Sequence, residues 1–328
     1  MKKWLLNLPI FPQPDRPWTR PSLLWQVTGR YLGADRIHRI QGGLGNQMFQ
    51  FAHAWALLER FPARVKVDIS SYQNQREDRP YAVEDVFEMP DRLEHVPVAK
   101  MAICRQLRLD RFDRSEERSI AYKEEFIDND LRGFVSGYFP SFRYSKSVEE
   151  KVRWNFRFRQ PLPSHALRWA NLIARYDSVA LHVRRGDYLR PENKDEFFGI
   201  CTPAFYHSAK EVVRRRCPTA RFFIFSDDPE WCQNTFTEQD EVVVSSPAGS
   251  PDWVDMALMS ACKHGITANS SFSLWARWLG GVGGQHISIS PARFLNAGAY
   301  GSTPHGMLPR EFLRIDELGK VITDLLPS

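Results

Sequence analysis

The chain of 328 residues is long for a single hydrophobic core and suits two domains. Its hydrophobic and charged residues, 43% and 25% of the total, are ordinary for a globular protein, and a net charge of +5 without a long Lys/Arg run is too weak to indicate nucleic-acid binding. Five scattered cysteines without a Cys-x-x-Cys pair argue against a disulfide framework or a zinc site, and they are typical of a cytoplasmic protein. The mild positive charge favours anionic small molecules or a membrane surface as partners.

The first 36 residues show no clear periodic pattern. Residues 2–6 begin like a signal peptide, but Pro9 and two further prolines interrupt the apolar run long before it could span a bilayer. We therefore interpret residues 1–36 as an irregular extension that packs on the surface or lies at an interface. No other stretch of the sequence is long and apolar enough to cross a membrane.

A strand, a glycine-rich loop and a helix are predicted in succession after the extension. They occupy residues 36–40, 41–47 and 48–58, and such a loop presents backbone N–H groups to an anion or a polar ligand. A second predicted strand, residues 65–68, ends in an acid, as in dinucleotide-binding proteins. However, Met48 stands where those proteins have the third glycine that permits close helix–strand packing. The sequence therefore disfavours a dinucleotide-dependent oxidoreductase.

Two further motifs lie in the middle of the chain. Residues 128–130, Asp-Asn-Asp, match a D-x-D metal-binding pattern, but they follow no hydrophobic strand, and we interpret them as a solvated turn. Residues 137–144, Gly-Tyr-Phe-Pro-Ser-Phe-Arg-Tyr, predict a rigid aromatic loop that lines a cleft. Residues 161–163 predict a linker.

The segment after this linker carries most of the candidate chemistry. An apolar run at residues 178–181 predicts a buried strand, and residues 182–188, His-Val-Arg-Arg-Gly-Asp-Tyr, follow where that strand ends. Ligands of open α/β sheets bind beyond the carboxyl ends of the strands, and a guanidinium can bind two phosphate oxygens at once. Arg184 and Arg185 are therefore candidates for a phosphate site. The alternative is that they are ordinary surface charges, with Asp187 as the ion-pair partner of one of them.

Strands and helices then alternate regularly. Helices are predicted at residues 164–175, 202–216, 230–235, 252–262 and 269–279, and strands at residues 221–225, 242–244 and 265–268. This alternation favours a parallel, doubly wound sheet. Three polar groups would then meet at one edge: the two arginines, Asp227 with Asp228, and Ser270 with Ser271. They suit pyrophosphate, a base amine and phosphate oxygens, respectively.

Four motifs occur in a characteristic order. They are residues 42–50 (Gly-Gly-Leu-Gly-Asn-Gln-Met-Phe-Gln), residues 182–188, residues 225–228 (Phe-Ser-Asp-Asp) with Trp-Cys at 231–232, and residues 258–279, which include Cys-Lys-His at 262–264 and Ala-Asn-Ser-Ser-Phe-Ser at 268–273. In this order they resemble the bacterial galactoside α-1,2-fucosyltransferases, and the resemblance runs from about residue 37 to residue 294. Two features depart from that family: Pro140 and Phe142 stand where glutamine and glutamate are usual, and the extension has no counterpart.

The resemblance implies an α/β architecture of the GT-B type, in which two Rossmann-like domains face each other across a cleft. The domains would be the extension at residues 1–36, an acceptor-side domain at residues 37–160 and a GDP-fucose-binding domain at residues 161–328. The implied reaction is inverting transfer of L-fucose from GDP-β-L-fucose to the 2-hydroxyl of a terminal galactose on a bacterial surface glycan. It would need no cofactor and no metal ion, because an arginine and a helix N-terminus can stabilise the leaving diphosphate.

The resemblance also implies roles for individual residues. Arg184 would bind the β-phosphate, and Asp228, helped by Asp227, would bind the guanine. Asp187 is a candidate general base, although we favour a salt bridge to an arginine, with Arg185 as the partner. The candidate catalytic residues are Arg184, Asp187 and Asn46; the candidate donor-binding residues are His182, Arg184, Arg185, Asp227, Asp228, Asn269, Ser270, Ser271, Phe272, Gly43 and Gly45; the candidate acceptor-binding residues are Tyr138 and Phe139.

The expected partners are GDP-fucose and a galactose-containing glycan, without nucleic acid. The expected location is the cytoplasm, with or without peripheral contact with the inner membrane. Two alternatives stay open: a GDP-sugar transferase with another linkage or acceptor, and a non-catalytic protein that binds a nucleotide or a sugar. Turnover of GDP-fucose distinguishes the second alternative, and linkage analysis of the product distinguishes the first.

Overall fold

The structure, a computed structural model, describes residues 22–73, 79–111, 114–116, 121–197, 199–281, 286–296 and 307–322. The chain divides into two compact units between Arg159 and Gln160. Each unit is built on its own sheet. In the described residues no helix combines the length and the apolar character needed to cross a membrane.

The first unit contains a five-stranded parallel sheet. Its strands are β1 (Arg36–Arg39), β2 (Val65–Asp68), β3 (Glu94–His95), β4 (Arg114–Glu116) and β5 (Gly133–Ser136). Their order is β3-β2-β1-β5-β4. The helices are α1 (Leu23–Leu32), α2 (Leu44–Arg60), α3 (Ser70–Gln73), α4 (Val83–Val86), α5 (Val98–Gln106), α6 (Glu125–Asp128) and α7 (Glu149–Asn155), with 3-10 turns at Leu109–Arg111 and Phe142–Val148.

Helix α1 lies within the segment that we interpreted as irregular, and for these residues that interpretation is wrong. The side chain of Ser22 accepts the N–H of Trp25 at 3.1 Å, and Gly33 ends the helix at φ 68°, a conformation that glycine adopts readily. Trp25 is buried against Phe134 of β5 at a ring-centroid distance of 5.0 Å. The helix therefore belongs to the core of the first unit. Residues 1–21 lie outside the described residues.

The second unit contains a seven-stranded sheet. Its strands are β6 (Asp177–Val183), β7 (Ala220–Ser226), β8 (Glu241–Val243), β9 (His264–Ile266), β10 (Ser288–Pro291), β11 (Leu313–Ile315) and β12 (Val321–Ile322), in the order β12-β11-β10-β9-β6-β7-β8. All pairs are parallel except β11 with β12. The helices are α8 (Ser164–Arg175), α9 (Pro191–Phe197), α10 (Pro203–Arg216), α11 (Pro229–Thr235), α12 (Asp252–Ala261) and α13 (Ser271–Gly280), with a 3-10 turn at Asp187–Leu189.

The topology of this sheet identifies where a ligand can bind. From β6 the chain moves to β7 and β8 on one side, and it then returns to β9 and β10 on the other side of β6. The connections that leave β6 and β9 therefore run in opposite directions, which opens a crevice beyond the carboxyl ends of these two strands. The predicted α/β class with parallel sheets is confirmed in both units. The prediction for α8 is confirmed at both ends, and Thr202 caps α10 by accepting the N–H of Phe205 at 3.1 Å.

Buried histidines in the first unit lead to a prediction about acid stability. His53 of α2 is 0% exposed, stacks on Phe139 at 3.8 Å, and has Nε2 2.8 Å from the carbonyl oxygen of Phe126. Burial lowers its pKa to about 3, and burial also lowers the pKa of His38 well below the usual value. The unfolded chain therefore binds protons at pH 5 that the folded chain does not bind. The free energy of unfolding is expected to be largest above pH 6.5 and to fall as the pH is lowered.

The test is urea denaturation of the wild type and of His53→Phe at pH 7.5 and pH 5. Each such histidine contributes a loss of about 2 kcal/mol over this interval, so His53→Phe should show a smaller loss by about that amount. A leucine at the exposed position His207 serves as the control and should leave the pH dependence unchanged. Equal pH dependence in His53→Phe and the wild type would contradict the assignment.

Candidate functional site

Arg184 is the first residue after β6, and its guanidinium lies between two carboxylates. Strands β6 and β7 pair so that Val183 stands opposite Ser226, and Asp227 therefore follows β7 beside the arginine. The distances are 2.8 Å from Nη2 to Oδ2 of Asp187 and 3.0 Å from Nη1 to Oδ2 of Asp227. The salt bridge that we favoured for Asp187 is present. Its partner is Arg184, and the expectation that Asp187 would hold Arg185 is wrong.

The surroundings keep Arg184 charged. Burial lowers the pKa of this guanidinium, but the charges of Asp227 and Asp187 outweigh it, and the pKa is raised above the usual value. Its side chain is still 19% exposed. The carboxyl end of β6 therefore presents a fixed, permanently charged donor group to the crevice of the second unit.

Asp227 also holds the loop that follows β6. Its Oδ1 accepts the backbone N–H of Arg185 at 2.9 Å, and its Oδ2 accepts that of Gly186 at 3.1 Å. A Cβ atom at residue 186 would lie 2.8 Å from Oδ2 of Asp227, closer than side-chain carbons approach, so glycine is required for this contact. Both oxygens of Asp227 are thus engaged in positioning Arg184 and its loop.

Arg185 forms a separate pair with Asp228. Its Nε lies 3.0 Å from Oδ2 of Asp228, and its guanidinium carbon lies 4.0 Å from the ring centroid of Trp231. The other carboxylate oxygen of Asp228 accepts the N–H of Trp231 at 3.2 Å and caps α11. Trp231 was part of the family motif, but its stacking on Arg185 was not predicted, because a stack between residues distant in sequence depends on how β7 and α11 pack.

Asn269, predicted to contact the donor, is buried and forms hydrogen bonds to backbone groups of the protein. It is 4% exposed, and its amide nitrogen donates to the carbonyl oxygens of Phe197 at 3.2 Å and Phe294 at 3.0 Å. The hydroxyl of Tyr188 donates to the carbonyl oxygen of Asn269 at 2.8 Å. These bonds connect the loop after β6 with the loop after β9. Asn269 therefore fixes the site's shape, and its side-chain amide is occupied by protein groups.

The neighbouring candidates lie where their motif places them. Ser270 is the N-cap residue of α13, so Ser271 opens that helix at the crevice between β6 and β9. His182 is 5% exposed, and its ring centroid lies 6.0 Å from that of Phe272. Burial and the charge of Arg184 lower the pKa of His182 to about 4, so the imidazole is neutral at physiological pH. Its Nδ1 has no hydrogen-bond partner among the described residues.

The glycine-rich loop of the first unit is held by side chains from two helices, α2 and α3. Gly42 has φ 77°, and its carbonyl oxygen accepts the amide of Gln47 at 2.9 Å and the hydroxyl of Tyr72 at 2.7 Å. Gly43 is the N-cap residue of α2. Among the candidates, Asn46 is half-buried, whereas Gly45 is buried inside the first turn. Tyr72 was not found from the sequence, since no motif includes it.

The aromatic loop after β5 contributes one exposed candidate. Tyr138 is 43% exposed. Phe139 is 1% exposed and stacks on His53, with its backbone at φ 48°. The expectation that both rings face an acceptor is therefore wrong for Phe139, because its ring completes the core of the first unit. Tyr138 stays a candidate for acceptor contact.

The acidic motif at residues 128–130 is neutralised by arginines. Asp130 lies 3.0 Å from Nη2 of the buried Arg36 and 2.7 Å from Nη2 of Arg132, and Asp128 lies 3.0 Å from Nη1 of Arg60. A second acidic group, Glu238, Asp240 and Glu241, could hold a metal by its spacing. Its members form ion pairs with Lys210 and Arg214. The carboxylates of both groups are thus paired with basic side chains of their own unit.

The sequence of the chain is similar to those of known glycosyltransferases. The family model described as glycosyl transferase family 11 matches residues 37–297. An alpha-1,2-colitosyltransferase of Escherichia coli is 30% identical over 262 residues, 74% of this chain and 87% of that protein. The O-antigen biosynthesis glycosyltransferase WbnK of Escherichia coli is 28% identical over 271 residues, 73% and 88%, and galactoside 2-alpha-L-fucosyltransferase Sec1 of Mus musculus is 26% identical over 275 residues, 81% and 70%.

These matches define the protein as a sugar-transferring enzyme. The chain belongs to glycosyl transferase family 11. The matched span covers most of both units and includes the ends of β1, β6, β7 and β9, where the candidate residues lie.

Proposed function

We propose that the protein is an inverting glycosyltransferase that moves L-fucose from GDP-β-L-fucose to the 2-hydroxyl of a terminal galactose. The product is an α-1,2 linkage on a bacterial surface glycan. The observation that carries the proposal is the guanidinium of Arg184, held by Asp187 and Asp227 at the switch point of a parallel sheet. Family membership and relatives named for α-1,2 transfer to galactosides and for O-antigen biosynthesis support it.

The chemistry explains why such an arginine is needed. The 2-hydroxyl oxygen of the acceptor bonds to C1 of fucose on the face opposite GDP, and the bond from C1 to the β-phosphate oxygen breaks. GDP leaves with the electron pair, and the hydroxyl proton passes to a base. Negative charge therefore grows on the β-phosphate in the transition state. Nη1 and Nη2 of Arg184 each have two N–H groups. One N–H group of Nη1 is directed to Asp227 and one of Nη2 to Asp187, so the second N–H group of each nitrogen can bind that phosphate.

The remaining donor contacts follow from the same edge of the sheet. The N-terminus of α13, with Ser270 and Ser271, favours negative charge and adds N–H and hydroxyl donors for phosphate oxygens. Asp187 is assigned to positioning Arg184, because its Oδ2 lies 2.8 Å from Nη2 of that guanidinium. Asn46 of the glycine-rich loop and Tyr138 are proposed to contact the substrates from the first unit.

The direct test is transfer from GDP-fucose to a set of galactose-terminated acceptors, with the product linkage determined by NMR. We expect fucose on the 2-hydroxyl of galactose in α configuration. Absence of turnover with every acceptor, or another linkage, would contradict the proposal. Since the relative with 30% identity is named a colitosyltransferase, GDP-linked colitose is the second donor to test. Preferential use of GDP-linked colitose would show that the transferred sugar is colitose and not fucose.

The guanine contact predicts a nucleotide-selective loss of affinity in Asp228→Ser. Serine still caps α11, but it lacks the two oxygens that can accept N–H groups of guanine. Affinity for GDP should fall by about 1.5–3 kcal/mol, roughly 10- to 150-fold, because a charge-assisted hydrogen bond is lost. Calorimetry with GDP and with UDP measures this. An equal loss for both nucleotides, or unchanged GDP affinity, would contradict binding of the base by Asp228.

Activity is predicted to be independent of divalent metal ions. Arg184 and the N-terminus of α13 supply the positive charge that a metal would otherwise supply, and arginines neutralise the D-x-D carboxylates at residues 128–130. The initial rate should be the same with excess EDTA as without it. Loss of activity in EDTA and recovery with manganese would show that a metal takes part.

We further propose that the enzyme acts in the cytoplasm. The proposal is supported by five cysteines without a disulfide and by the relative named for O-antigen biosynthesis. Fractionation of cells that produce the chain at native level tests it. Recovery outside the cytoplasm and its membrane fraction would contradict it.

A further inference from the structure

Helices α1 and α5 lie side by side on one face of the first unit's sheet. Nζ of Lys100 donates to the carbonyl oxygen of Tyr31 at 2.7 Å and lies 5.0 Å from the centroid of the Tyr31 ring. The inward faces of the two helices share one hydrophobic cluster with Ile37 of β1 and Phe134 of β5. The helix residues in that cluster are Trp25, Leu32, Met101 and Cys104. The two helices thus adjoin at the contact between Lys100 and Tyr31, where their outward faces meet.

This outward surface is unusually apolar. In α1 the residues at positions 23, 27 and 31 share a face because they are four apart. Six of the eleven large hydrophobic side chains that are exposed in the described part of the chain lie on or directly after these two helices. They are Leu23 (51% exposed), Val27 (69%), Tyr31 (42%), Val98 (40%), Ile103 (45%) and Leu107 (62%). Val98 lies about 180° around α5 from Leu107, so we name the other five residues, with Arg30 and Arg108, the α1/α5 surface. A concentration of this kind marks a binding surface.

The charge of the surface has one sign. Residues 22–34 and 98–109 contain four cations and no carboxylate. Of the two acids that follow directly, Asp35 pairs with Arg64 at 2.8 Å and Asp110 is half-buried. One of the four, Arg105, pairs with Asp68 at 3.0 Å, and Arg30 and Arg108 are exposed. A second copy of the same surface would bring like charges together. Residues 1–21 carry four basic residues and one acid, so charge also disfavours that segment as the occupant. An anionic partner fits best.

We infer that the α1/α5 surface binds an anionic phospholipid bilayer. Leucine, valine and tyrosine side chains on two adjoining helices enter the boundary between headgroups and acyl chains, and the arginines contact lipid phosphates. This is the arrangement of a protein that lies on a membrane. The inference goes beyond the proposed transfer reaction and does not depend on it. A consequence for the enzyme is that the membrane-bound protein would encounter lipid-linked acceptors at the bilayer surface.

The test is flotation of the whole 328-residue chain with vesicles. Vesicles of phosphatidylcholine and phosphatidylglycerol at a ratio of about 3:1 should carry the protein, and vesicles of phosphatidylcholine alone should carry much less, since attraction per cation is roughly fivefold in affinity. The four-glutamine variant carries Leu23→Gln, Val27→Gln, Ile103→Gln and Leu107→Gln. Glutamine keeps the helix propensity but removes the apolar side chains, so this variant should bind at least about tenfold more weakly. Arg30→Gln with Arg108→Gln should bind roughly 25-fold more weakly.

Exposed apolar residues of the second unit provide the matched control. Leu167→Gln with Leu318→Gln should leave flotation unchanged, although these side chains are 49% and 82% exposed. All variants should keep the wild-type melting temperature and the wild-type rate of transfer to a soluble acceptor. If neither the wild type nor any variant transfers the sugar, that result contradicts the proposed enzyme activity and leaves the membrane inference untouched.

Several outcomes overturn the membrane inference. These are no flotation of the wild type, equal flotation of the four-glutamine variant, and a wild-type dimer that the four glutamines dissociate in light scattering, which would assign the surface to a second copy. A fourth is loss of flotation on removal of residues 1–21 combined with full flotation of the four-glutamine variant, which would assign lipid binding to that segment.

Discussion

Arg184→Lys is expected to lower kcat/KM with GDP-fucose by roughly 100- to 1000-fold, which corresponds to about 3–4 kcal/mol of transition-state stabilisation. Lysine keeps the positive charge but loses the planar group that can contact Asp187, Asp227 and the phosphate at the same time. Because lysine keeps a positive charge beside both carboxylates, the melting temperature should change little.

Arg185→Lys is the matched control for this prediction. Arg185 pairs with Asp228 and stacks on Trp231, so its replacement should disturb α11 and the guanine contact more than the phosphate contact. Steady-state kinetics on both variants, with thermal melts as the folding check, give the comparison. Near-normal activity of Arg184→Lys, or a larger loss in Arg185→Lys, would show that the phosphate contact is assigned to the wrong arginine.

Gly186→Ala is expected to have the second largest effect, a loss of roughly 10- to 100-fold in kcat/KM. The added Cβ would lie 2.8 Å from Oδ2 of Asp227, so this carboxylate must move. Its movement releases Arg184 and the two backbone N–H groups that it accepts. The loop after β6 then no longer holds the guanidinium in one place.

A double-mutant cycle tests that cause. In Asp227→Ser the shorter side chain removes the clash, so adding Gly186→Ala should cost less than about threefold further activity. Equal losses from Gly186→Ala in the wild type and in Asp227→Ser would mean that the glycine is needed for another reason. Thermal melts of all four proteins establish that each is folded.

The sequence predicts strands β6 to β9 of the second unit and most of its helices, because these elements are marked locally, whereas α9 and strands β10, β11 and β12 were not predicted. Thr202 followed by Pro203 begins α10 as a cap and first helical residue, and the apolar strands β6 and β7 are buried runs. The same patterns place Arg184 and Asp227 just beyond strand ends. The α/β class follows from this alternation of strands and helices.

The partners within the site could not be predicted in the same way. Which carboxylate meets which arginine depends on the register of β6 against β7, where Val183 stands opposite Ser226. Asp187 was near both arginines in sequence, and only the turn after β6 directs it to Arg184. Helix α1 was missed because the prolines before it indicated an irregular segment, although Ser22 and Gly33 mark the two ends of a short helix. The burial of Phe139 depends on His53, a residue distant in sequence.

The central claim is that Arg184 binds the β-phosphate of the donor, and calorimetry with GDP and GMP tests it most directly. The wild type should bind GDP more tightly than GMP, because only GDP has a β-phosphate. Arg184→Lys should lose most of that preference and keep the wild-type affinity for GMP. An unchanged preference for GDP over GMP in Arg184→Lys, or an equal loss of affinity for both nucleotides, would contradict the account.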